Sequence, residues 1–157
     1  TRIIDTTTML TRQLRETLLR LYGEGDVDKA IAVNVLSFGF KHGLPQDADL
    51  VFDVRFIPNP FYIPEMRPLT GADAPVHDYV MSFEETRVFL NKTLDLLKFL
   101  IPHYVSEGKD RLVIAVGCTG GQHRSVCLTN EIAKGLKAAG FHATASHRDT
   151  QIETKEK

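Results

Sequence analysis

Leu112–Gly140 reads LVIAVGCTGGQHRSVCLTNEIAKGLKAAG, and this stretch decides the fold. Leu112–Val116 is an unbroken apolar run of strand length, the pattern of a strand covered on both faces. Glycines at 117, 120 and 121 then break the run, and helical spacing takes over from Ser125 to Ala139 until Gly140 offers a stop. Phe141–Ser146 reads as a closing strand. Strand, glycine turn, helix and strand make a βαβ unit. The expected fold is therefore α/β, with a mostly parallel sheet and helices on both faces.

Working backwards, Leu90, Leu94, Leu97, Ile101 and Val105 mark one face of a long helix. Ser82 and Glu85 stand at capping-box spacing before it, and Pro102 is placed to kink it. Leu50–Phe56 is a second apolar run that contains Asp53 and Arg55, whose alternation puts both on one face of a strand. Pro58, Pro60 and Pro64 then exclude regular structure until about Pro75, a loop longer than most connections and a candidate for function. Ala30–Phe38 has the β-branched composition of another strand. Leu10, Leu14, Leu18 and Leu21 predict a first helix from about Thr8 to Tyr22, and GEGDVD follows as a linker. The expected division is a tail and linker helix over residues 1–25 and a folded domain over 26–157. Because the chain opens on Thr1 and TRIIDTT reads as a strand end running into a cap, it is expected to be a piece of a longer protein.

With 157 residues, 43% hydrophobic and 25% charged, the chain can bury a core without disulfides or metals. No run approaches the roughly 20 apolar residues that span a bilayer, so no membrane partner is expected, and the absence of a secretory pattern points to the cytoplasm. Nineteen basic residues against 20 acidic ones leave a net charge of -1, which excludes a global attraction to nucleic acid. The cysteines and histidines show no metal-ligand spacing, so no metal is expected.

The chemistry is expected in GCTGGQHRS, Gly117–Ser125, where a buried strand hands the chain to a helix. Glycines let backbone N–H groups face a ligand, and the helix N-terminus adds partial positive charge. Arg124 can fork onto a phosphate, with hydroxyls from Thr119 and Ser125, so a phosphorylated small molecule is the expected ligand. The bland alternative is a tight turn whose Arg124 meets a structural partner. Neither G-x-x-x-x-G-K-[ST] nor G-x-G-x-x-G occurs, so nucleotide binding is not encoded here. Cys118, Arg124 and Ser125 also have the spacing of cysteine-dependent phosphatases, whose thiolate attacks phosphorus. Gly117 stands where such enzymes usually have histidine, and no aspartate is singled out as a general acid.

The chain resembles the C-terminal domain of the RapZ/YvcJ family. The resemblance rests on SFGFKHGLPQDADLVFDVRFIPNPFY (Ser37–Tyr62), RPLTGADAPV (Arg67–Val76), VGCTGGQHRSV (Val116–Val126) and SHRDT (Ser146–Thr150). It implies a phosphofructokinase-like sugar-phosphate-binding fold and a homo-oligomer that senses an amino-sugar phosphate of the glucosamine-6-phosphate type. It also implies, in one branch, partners in small regulatory RNA and a ribonuclease. The opening TRIIDTT resembles the end of that family's P-loop domain, which binds ATP or GTP, so no cofactor is expected in this part. Carried onto this sequence, the ligand positions are His42, Thr119, Gly120 and Arg124; the reading of the loop adds Gly121, His123 and Ser125, and position at the strand ends makes Arg55 and Arg148 secondary candidates. His147 and Arg148 would join the phosphate site if the last strand neighboured Leu112–Val116. Gln122 replaces a lysine of the RNA-binding branch, and QIETKEK replaces its basic tail. Both changes remove charge on which nucleic-acid affinity depends.

Overall fold

The computed structural model describes residues 31–150, together with 7–11, 13, 14 and 17. Most of the first helix and the boundary near residue 26 lie outside the described residues. Ala32–Gly39 forms β1, Leu50–Asp53 β2, Arg111–Cys118 β3 and His142–His147 β4. They make one all-parallel sheet in the order β2-β3-β1-β4. The run from Leu112 to Cys118 is buried throughout, as expected of a strand with a neighbour on each side. Register aligns Gly39 with Cys118 and Asp53 with Gly117, so three strands end at one level.

Three helices complete the described fold: α1 (Ala74–Met81), α2 (Glu84–Ser106) and α3 (Arg124–Ala138). Val33, Val35, Leu112, Ile114 and Val116 join Leu97 and Ile101 of α2 and Leu128, Ile132 and Leu136 of α3 in one apolar core. Gly135 lets α3 approach α2 closely, since a Cβ there would stand 2.6 Å from Leu94 Cδ1. Phe38, Val113 and Ala115 are buried as well, although they alternate to the opposite face of the sheet.

Two local expectations are corrected. Ser82 does not open a capping box for α2. Its hydroxyl donates to Tyr79 O at 2.6 Å, closing α1, and Phe83 occupies the N-cap of α2. The second strand stops at Asp53 rather than Phe56, because Asp53 Oδ1 accepts the Arg55 N–H at 2.9 Å and turns the chain out of the sheet. Pro102 lies inside α2.

Candidate functional site

From β1 the chain passes to β2, beyond β3, whereas from β3 it passes through α3 to β4, beyond β1. The two connections leave the carboxyl ends of adjacent strands in opposite directions, each passing the other's strand, and it is at carboxyl ends that open α/β sheets hold ligands. A cleft of about 210 Å³ opens there. Cys118, Thr119 and Gly120 form its floor, and Gln122, His123 and Arg124 continue it to the start of α3. Lys41 enters from the turn after β1, and Asn59, Phe61 and Tyr62 form a wall from the long loop that follows β2. Its volume lies below the roughly 300–1,000 Å³ of drug-sized pockets and suits a small ligand.

Two glycines bring the walls together. A Cβ on Gly39 would stand 2.4 Å from the Gly120 carbonyl carbon, and one on Gly121 would stand 2.6 Å from Gly39 N. Gly121 also has φ +81°, which side chains with a Cβ rarely adopt. The end of β1 and the loop after β3 thus touch backbone to backbone. The contact is held from just beyond β4, where buried Asp149 accepts the Gly39 N–H at 2.7 Å. At the head of α3, the first N–H bonded back along the chain is that of Cys127, to His123 O at 3.1 Å. The N–H groups of Arg124, Ser125 and Val126 are those the helix itself cannot satisfy, and they carry its partial positive charge.

Three consecutive side chains bind the long loop. Gln122 Nε2 donates to Leu69 O at 2.7 Å and Arg67 O at 3.2 Å, and His123 Nε2 donates to Met66 O at 3.0 Å. Arg124 Nη1 donates to Ile57 O at 2.7 Å and Arg55 O at 3.0 Å, while Nη2 donates to Thr119 Oγ1 at 3.3 Å. Gly71 N–H returns a bond to Gln122 O at 2.9 Å. Arg124 is only 4% exposed, and burial lowers its pKa from the usual guanidinium value. Its Nε is buried with no hydrogen-bond partner among the described residues.

Cys118 Sγ lies 3.1 Å from Ser125 Oγ and accepts the Gly121 N–H at 3.3 Å. Among the described residues, no carboxylate lines the cleft. Asp53 is paired with Arg55 at 2.7 Å, and the hydrogen bond from Arg55 is the main cause holding its carboxyl below the usual range. Cys127, on the buried side of α3, is pushed up to about 12 by burial.

Of the residues singled out from sequence, Thr119, Gly120, His123 and Arg124 meet at the cleft. Gly121 and Ser125 support it from behind through Cys118. His42 sits in the turn after β1 outside the cleft lining, its Nε2 buried with no partner among the described residues. Arg55 also lies outside the lining, stacked 4.0 Å over the Phe40 ring. The last strand neighbours β1 and not β3, so the condition for Arg148 to join the phosphate loop is not met. Arg148 instead donates to Gly43 O at 2.6 Å and pairs with Asp149. Sequence reasoning missed Lys41, Asn59, Phe61 and Tyr62 in the lining and the buried Asp149. The Asn59-Pro60 turn followed by two aromatics was the signal available for the wall. Among the described residues, no group of three or more His, Cys, Asp or Glu side chains is arranged to hold a metal ion, and no helix is long and apolar enough to cross a membrane.

Residues 31–151 match the family described as the RapZ C-terminal domain. A "Nucleotide-binding protein" of Clostridium perfringens strain SM101 is 55% identical over 148 residues, covering 94% of this chain and 50% of the relative. One from Clostridium acetobutylicum is 53% identical over 150 residues, covering 95% and 51%, and one from Clostridium novyi strain NT is 52% identical over 154 residues, covering 98% and 52%. The chain therefore spans about half the length of the curated relatives it matches.

Proposed function

Since the chain belongs to the RapZ C-terminal domain family, we propose that it is the ligand-sensing, regulatory part of a nucleotide-binding protein and not an enzyme, and that its cleft binds an amino-sugar phosphate of the glucosamine-6-phosphate type. The observation that carries this reading is the cleft at the carboxyl ends of β1 and β3, where the glycine loop, the head of α3 and Lys41 surround a space for a small ligand. A phosphate there meets helix N–H groups, a buried guanidinium and an ammonium-bearing side chain, which is how proteins hold such dianions. Nucleotide binding belongs in this proposal to the half of the relatives that the chain does not span. Small regulatory RNA, a ribonuclease, homo-oligomerisation and a cytoplasmic setting complete it as the family resemblance implies.

Calorimetric titration with a panel of sugar phosphates tests the ligand. Saturable binding of an amino-sugar phosphate that competes with inorganic phosphate is the expected result. The reading fails if no phosphate ester in the panel binds.

One observation favours a second reading, phosphoryl transfer to Cys118: the Ser125 hydroxyl and the Gly121 N–H both meet the sulfur. Among the described residues the cleft has no carboxylate to protonate a sugar alkoxide as it leaves, so sensing remains the preferred function.

A further inference from the structure

We propose that Tyr62, backed by Phe61, is a stacking face that makes the cleft select a ring-bearing phosphate ester over acyclic phosphate esters and inorganic phosphate. This rests on the reading of the cleft as a phosphate site and adds what recognises the other end of the ligand. Tyr62 is 77% exposed, the highest value among the exposed large hydrophobic side chains of the described residues, yet it lines the cleft. Its exposure does not come from a slack loop. The Asn59 side chain accepts the Phe61 N–H at 3.2 Å, and Arg67 Nε donates to Phe61 O at 3.0 Å. The Arg67 guanidinium also lies 4.8 Å over the Phe61 ring, and the Phe61 and Tyr62 rings meet edge to face at 5.9 Å. On either side the loop is anchored to α3, through Ile57 O to Arg124 and through Met66 O to His123.

An aromatic ring held in water against a cleft has its apolar face ready, so a ligand that covers it loses little ordering entropy on binding. The rest of the cleft is polar, and this aromatic wall is paired with an anion site along the floor. The ligand that matches both carries charge at one end and a flat C–H face at the other, as a pyranose phosphate does. An acyclic polyol phosphate has the same charge and hydroxyls but offers no fixed face.

The test is calorimetry on the full chain with glucosamine 6-phosphate, sorbitol 6-phosphate and inorganic phosphate. An aromatic contact of ordinary strength predicts that Tyr62→Ala weakens glucosamine 6-phosphate roughly three- to ten-fold. Affinities for sorbitol 6-phosphate and inorganic phosphate stay at the wild-type level, and Tyr62→Phe binds all three like wild type. The exposed position predicts an unchanged melting temperature, which separates lost contact from lost fold. If Tyr62→Ala binds glucosamine 6-phosphate as wild type does, or weakens all three ligands in parallel, the stacking role is wrong while the phosphate site stands. If the wild-type chain binds none of the three, the phosphate reading fails and takes this proposal with it.

Discussion

Replacing Arg124 by alanine tests how far the long loop depends on its guanidinium. In the structure it donates to two backbone carbonyls, at 2.7 and 3.0 Å, and to the Thr119 hydroxyl at 3.3 Å. A hydrogen bond from a charged donor contributes roughly 1.5–3 kcal/mol, so loss of the two carbonyl bonds alone removes about 3–6 kcal/mol. Truncation also removes a buried charge whose desolvation opposed folding, as its lowered pKa indicates, which brings the expected net loss to about 3–4 kcal/mol. That is a large part of the roughly 5–15 kcal/mol that holds a domain together, and it corresponds to a melting temperature lower by about 10 °C. Arg124→Lys keeps the charge without the fork and falls between the two. Scanning calorimetry and urea titration on the ligand-free protein give the answer. A melting temperature within about 3 °C of wild type would refute the reasoning by showing that the loop does not depend on the guanidinium.

Gly39→Ala places a methyl group 2.4 Å from the Gly120 backbone and should destabilise by about 1–3 kcal/mol or more, measurable by urea unfolding; a neutral result would mean the two loops part easily. His77 bonds Glu131 at 2.9 Å, and that bond is the main cause raising its pKa above 6.5. A raised histidine stabilises fully below its unfolded pKa and loses this as pH rises through its folded value, so the melting-temperature gap between wild type and Glu131→Gln should narrow as pH rises above 6.5. Burial lowers the pKa of His147 in both proteins alike, and a gap that widened with pH would reverse the assignment. Cys118→Ser should retain phosphosugar binding, and the wild-type chain should not hydrolyse an aryl phosphate at neutral pH; turnover that vanishes in Cys118→Ser would restore the phosphatase reading.

The unit from β3 to α3 was legible because burial on both faces and helical spacing are one-dimensional patterns. α3 begins at Arg124 and ends at Ala138, each one residue before the position expected from Ser125 and Ala139. α1 escaped notice because Pro75 reads as a breaker, while in the first turn of a helix proline has no N–H to lose and a suitable φ. Ser82 misled for a related reason: the same hydroxyl can close one helix or open the next, and only the short link between α1 and α2 decides. At the site, the glycine loop could be read because its residue types constrain backbone shape. The partners of Gln122, His123 and Arg124 could not, since they are carbonyls of a distant loop, and a carbonyl looks the same at every position in a sequence.

Those three side chains have an entropic consequence. Between the end of β2 and the start of α1 the chain would be a long flexible connection, whose closure cost rises with the logarithm of its length. Ties at Arg55, Ile57, Met66, Arg67, Leu69 and Gly71 divide it into short spans, each with few conformations left to lose. The ties fix the segment to the head of α3, so on the proposed reading a ligand would enter past the exposed Tyr62 and not through a swinging lid. If the cleft senses a ligand as proposed, exchange should be fast compared with any unfolding of the loop, and the response would follow changes in ligand concentration without a slow conformational step.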